Sequence, residues 1–138
     1  MIHKFYSGLA IVLGLAMLLN GAYMAFEPHS WYLAVAGVAE RGAFNQHFLR
    51  DIGFIYLLGS AAFIYGAFTT RARWQLWIVP TAWLLVHALF HVWEVIVGLS
   101  EPQALAQDFM GVTLPALVAV GLLVVSLRAD TGSSSRGS

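Results

Sequence analysis

The sequence contains no cysteine, which excludes disulfides, thiolate metal sites and Cys-x-x-Cys redox chemistry. Charge is also scarce: charged residues make up 10% of the chain, and seven basic side chains cancel seven acidic ones. No positive excess is left to attract nucleic acid. What fills the chain is apolar, with 59% hydrophobic residues and a mean hydropathy of +0.75, outside the range of a soluble globular domain. The composition predicts an integral membrane protein whose first partner is the lipid bilayer.

Four apolar stretches, roughly 5–26, 49–69, 74–98 and 110–128, each approach the ~20 residues that a spanning helix requires. They predict an all-α fold, a four-transmembrane-helix bundle forming one domain over residues 1–128. The first stretch follows Lys4, as a signal peptide would, but it runs too long and lacks a small-x-small cleavage site. It reads as the first membrane helix. Between the first two helices, Trp31 to Val38 is apolar yet too short to span, so it reads as an interfacial or re-entrant segment. The tight turn from Thr69 to Arg73 makes the second and third helices an antiparallel hairpin, and Ser100-Glu101-Pro102 starts a surface piece before the fourth. Residues 129–138 are polar and low in complexity, a disordered tail or a cloning remnant.

Lys4, Arg71, Arg73 and Arg128 fall on one side of this topology, while Arg41 and Arg50 share the other with Glu27, Glu40, Glu101 and Asp108. The positive-inside rule then places both termini in the cytoplasm of a bacterial inner-membrane protein. Trp74 and Trp77 are expected at the inner interface, Trp31 and Trp93 at the outer one. Gly8, Gly14 and Gly21, with Ala62 and Gly66, offer close helix contacts. A bundle this small is expected to form a homo-oligomer or join a larger membrane complex. Pro80 and Pro115 are expected to kink the third and fourth helices.

The polar residues inside these apolar runs carry the functional signal. At 100° per residue, His87, His91 and Glu94 fall within about 60° of one another on one face of the third helix. Hydrocarbon would penalise such a stripe by several kcal/mol, so it must face protein or water. His47 and Asp51, four apart at the start of the second helix, lie at a similar depth. Asn20, Tyr23 and Glu27 bring the first helix to that level. Three helices thus aim polar groups at one spot in the outer half, and the inner half shows no comparable cluster.

The sharpest reading is a metal site of His47, Asp51, His87, His91 and Glu94, with Glu27 in reserve, since mixed imidazole and carboxylate ligands suit Fe, Zn, Cu or Mn. Asn20, Tyr23 and Arg50 would then contact a bound cofactor or substrate, and Glu94 would be either a ligand or the proton-transferring base in redox or metal-assisted chemistry on a lipophilic molecule. For a haem, His47 with His91 is the one sensible axial pair, because His87 and His91 share a helix face. Without metal, the same groups would form a pocket for a quinone or lipid-like molecule. In the blandest case they are a hydrogen-bonded network that fixes the helices, with Arg50 pairing to Glu94 or Asp51. The Glu40-Arg41-Gly42 run reads as a solvated turn.

The run Gly42-Ala-Phe-Asn-Gln-His47-Phe-Leu-Arg-Asp51-Ile-Gly53, together with Val86-His87-Ala-Leu-Phe-His91-Val-Trp-Glu94, resembles small bacterial four-helix membrane proteins of the DoxX-like group. The resemblance covers about residues 5–128 and brings no catalytic motif with it. It implies a link to quinone or redox chemistry. With no cysteine, a sulfur relay through the protein itself is not expected.

Overall fold

Proline and glycine set where the helices stop. A computed structural model describes residues 2–134, with side chains described for residues 5–130. The first helix, α1 (Ile2–Phe26), ends because Pro28 disfavours helical backbone in the residue before it. Glu27 accordingly sits at φ −126° and ψ 55°, and Pro28 occupies the first turn of α2 (Pro28–Ala34), where its missing N–H costs nothing. Gly37, at φ +81°, turns the chain into the four-residue α3 (Val38–Arg41). The Tyr32 hydroxyl donates to the Gly42 carbonyl at 2.8 Å, binding this pair of short helices together.

Asn45 then caps α4 (Gln46–Phe68), its side-chain oxygen accepting from the Phe48 N–H at 3.1 Å. One 3₁₀ turn, Thr70–Ala72, leads into α5 (Arg73–Ile96), and Gly98 at φ +77° ends it. The short α6 (Ala104–Asp108) passes through a π turn, Phe109–Thr113, into α7 (Leu114–Ser134). Pro115 explains the π turn: its ring would clash with the Gly111 carbonyl in a regular helix, and the wider turn absorbs it.

No strand occurs among the described residues, and four helical segments are long and apolar enough to cross a membrane: Phe5–Phe26, Gln46–Phe68, Thr70–Ile96 and Ala104–Asp130. The expected interfacial segment is two short helices. α7 continues to Ser134, into the stretch 129–138 expected as a tail. Residues 135–138 lie outside the described part.

α1 packs chiefly on α4, and α5 packs on both α7 and α4. The α1–α4 pair is antiparallel and close. A Cβ on Gly21 would stand 2.8 Å from the Gly53 carbonyl oxygen, and one on Gly53 would stand 2.9 Å from that of Gly21. Nearer the chain termini, the Ser7 hydroxyl donates to the Ala67 carbonyl at 3.1 Å. Of the glycines expected to make close contacts, Gly14 and Gly21 do so, whereas Gly8 has open space and Gly66 accommodates the Trp77 ring.

Trp77 is 1% exposed and donates its indole N–H to the Phe63 carbonyl at 3.2 Å, so it is a core residue and not the interfacial anchor that topology suggested. Beside it lies a second polar knot that hydropathy alone did not reveal. The buried Arg73 donates to the Gly66 and Ala67 carbonyls at 2.9 and 3.0 Å, capping the last turn of α4, and to the Ser7 hydroxyl at 3.2 Å.

Candidate binding cavity

A cavity of about 800 Å³ opens between the α1–α4 and α5–α7 pairs, at the end of the molecule that carries α2, α3 and α6. Met17, Leu49, Ile52 and Val112 supply apolar wall, and Trp31, Trp83 and Phe90 supply aromatic faces. Trp31 reaches the cavity because its indole N–H donates to the Asn20 side-chain oxygen at 2.8 Å, holding α2 down on α1. One end of the cavity is polar.

That end is built on Asp108, the last residue of α6. Its two carboxylate oxygens take the two terminal nitrogens of Arg41 at 2.9 and 3.1 Å, a bidentate geometry that fixes orientation as well as distance. His91 Nδ1 lies 2.7 Å from the same Asp108 oxygen that Arg41 holds at 2.9 Å. His87 meets His91 edge-on, with ring centroids 4.7 Å apart, and is itself stacked on Trp83 at 6.0 Å. Glu94 completes the row, with its carboxylate 4.0 Å from His91 Nδ1. The three residues expected on one face of α5 do share it, and all three line the cavity.

The other expected site residues are placed differently. His47 and Asp51 pair with one another at 3.3 Å on the outside of α4, with side chains 89% and 56% exposed, and neither lines the cavity. The pairing of His47 with His91 that a haem would need is therefore not brought together at this site. Arg50 donates to the Ala25 carbonyl at 3.1 Å, closing the end of α1, and pairs with neither Glu94 nor Asp51. Tyr23 and Glu27 are exposed and line no part of the cavity, whereas Asn20 does. Among the described residues, no three His, Asp or Glu side chains converge so as to hold a metal ion. Arg41 contacts both oxygens of Asp108, and one of those oxygens also contacts Nδ1 of His91.

Arg41 and Asp108 are the residues that reading the chain as spans and loops leaves out. Both fall in segments that look like solvated connections. The available signal was that Asp108 sits in Leu105-Ala-Gln-Asp108-Phe-Met, apolar enough to belong to a span, and that Arg41 stands on the side otherwise rich in carboxylates.

One buried polar group on the cavity wall has no partner. The indole N–H of Trp83 has no acceptor, a deficit of about 1–3 kcal/mol for a desolvated donor. The arrangement is suited to holding an elongated molecule with a polar head. Comparison of the chain with protein-family models, with curated proteins and with solved structures returns no match.

Proposed function

We propose that this chain is a multi-pass protein of a bacterial inner membrane that binds a lipophilic small molecule in the cavity, its head toward His91, Glu94 and Asp108 and its tail along α1 and α5. The observation that carries this reading is a cavity of about 800 Å³ with a largely apolar wall and one cluster of paired ionisable groups in it. Ligand sites are generally of this size and character, apolar with a few convergent polar groups.

The polar end has two parts with separate duties. Arg41, Asp108 and His91 are mutually paired and act as a clamp that holds α3 and α6 on α5. Glu94 and His87 face the occupant. The distribution of Lys4, Arg71 and Arg128 supports termini on the cytoplasmic side and a cavity mouth toward the periplasm. Binding for delivery to another membrane protein and binding for chemistry share this site.

Native mass spectrometry of the protein released from native membrane tests the reading. A bound lipophile at one per chain is expected, and it should be lost in Gly111→Leu, because Gly111 lines the cavity with open space around its Cβ position. An empty wild-type chain that also takes up no added lipophile would end the proposal.

A further inference from the structure

The polar end of the cavity is not balanced in charge. Arg41 and Asp108 neutralise each other, and among the described residues Arg41 is the only Lys or Arg on the cavity wall. Glu94 is a second carboxylate there. Its nearest basic nitrogen is His91 Nδ1 at 4.0 Å, and that nitrogen is committed to Asp108 at 2.7 Å. Among the described residues no hydrogen-bond donor reaches the Glu94 carboxylate, whose side chain is only 17% exposed. Counting Lys, Arg, Asp and Glu alone, the wall carries one carboxylate in excess. A largely buried carboxylate that no hydrogen-bond donor reaches is costly and attracts a cation.

The surroundings narrow the cation further. Trp31, Trp83 and Phe90 line the same cavity as Glu94 and give it aromatic faces. An ammonium group is attracted to such faces, more strongly once both are out of water. The remaining wall is hydrocarbon, which a small hydrated ion would leave unfilled. A neutral head would leave Glu94 uncompensated, and an acidic head would add a second negative charge.

Resting on the reading that the cavity holds a lipophilic molecule, we infer that its occupant is a lipophilic amine, with its ammonium group on the Glu94 carboxylate and its hydrocarbon tail between α1 and α5. The Arg41–Asp108 pair keeps the neighbouring cation away from Glu94 by occupying it, so the selectivity of the site depends on the clamp.

The test compares three probes with one tail, oleylamine, oleyl alcohol and oleate, titrated into full-length protein in phosphatidylcholine nanodiscs and followed by tryptophan fluorescence. The amine should bind about tenfold tighter than the alcohol, the equivalent of one charge-assisted hydrogen bond, and oleate should bind weakest. Glu94→Gln should abolish the preference for the amine while leaving alcohol binding in place, and Glu94→Asp should keep it. Equal binding of amine and alcohol by the wild type, or an unchanged preference in Glu94→Gln, overturns the amine assignment and leaves the cavity reading standing. Failure of all three probes to bind overturns both.

Discussion

Asp108 holds Arg41 through both carboxylate oxygens, at 2.9 and 3.1 Å, across 67 residues of sequence. The pair joins α3, on one wall of the cavity, to α6, on the other. Asp108 is only 9% exposed and Arg41 22%, so water replaces the contact poorly if one partner is removed. Asp108→Asn should therefore destabilise the protein by about 3 kcal/mol, since it leaves a guanidinium without its counter-charge. Arg41→Met with Asp108→Leu should recover most of that loss. Thermal unfolding in one mild detergent checks both, and equal melting temperatures for wild type and Asp108→Asn would show that the pair holds nothing together.

The α1–α4 crossing gives a contrast between two glycines of one helix. Gly21→Ala places a methyl 2.8 Å from the Gly53 carbonyl oxygen and should cost about 1–3 kcal/mol by overpacking. Gly8→Ala meets nothing within 4 Å and should stabilise α1 by about 0.5–1 kcal/mol. Opposite shifts in melting temperature are expected, and shifts of the same sign would mean that the helices do not cross at Gly21.

Trp83→Phe tests the buried indole N–H on the cavity wall. The change removes a buried N–H that has no acceptor, so the empty protein should be unchanged or more stable. That N–H is sealed from the cavity, so the affinity for oleylamine should change by less than about threefold. Melting curves with and without oleylamine read both effects, and weaker stability of the empty variant would show that the indole N–H is already satisfied.

His47→Ala and Asp51→Ala test where the site is. Both side chains are largely exposed and pair only with each other among the described residues, so each change should lie within about 0.5 kcal/mol of wild type and leave probe binding intact. His91→Ala should lower probe affinity and stability together. A loss of binding in Asp51→Ala comparable with that in His91→Ala would move the site to the outside of α4.

The boundaries of the long helices are legible because local chemistry writes them: Pro28 stops α1, Asn45 starts α4 and Gly98 stops α5. The shared face of His87, His91 and Glu94 is equally a local fact, fixed by helical pitch. His47 and Asp51 were placed on one face for the same reason, and they do pair. What pitch does not say is which face turns inward. On α4 the inward face is set by Gly53, Tyr56, Ser60 and Phe63, all buried. His47 and Asp51 lie on the opposite stripe with Phe54 and Leu58, which are 50% and 73% exposed. The small residues of α4 held that information, and polar residues were the wrong guide to it. Arg41 and Asp108 were hidden for a different reason: two connections meet only after the long helices have packed.

The pairing of α1 with α4, and of α5 with α7, also has a consequence for the order in which the molecule is made. A chain emerging from its N-terminus exposes α1 well before its principal partner exists, whereas α5 meets α4 as soon as it is made and α7 only later. The first pair can close while the second is still incomplete. The cavity lies on the seam between the pairs, and Asp108 arrives just before the final helix. A chain interrupted before α7 would carry every lining residue of the cavity but Pro115, and would lack the helix on which α5 and the π turn pack.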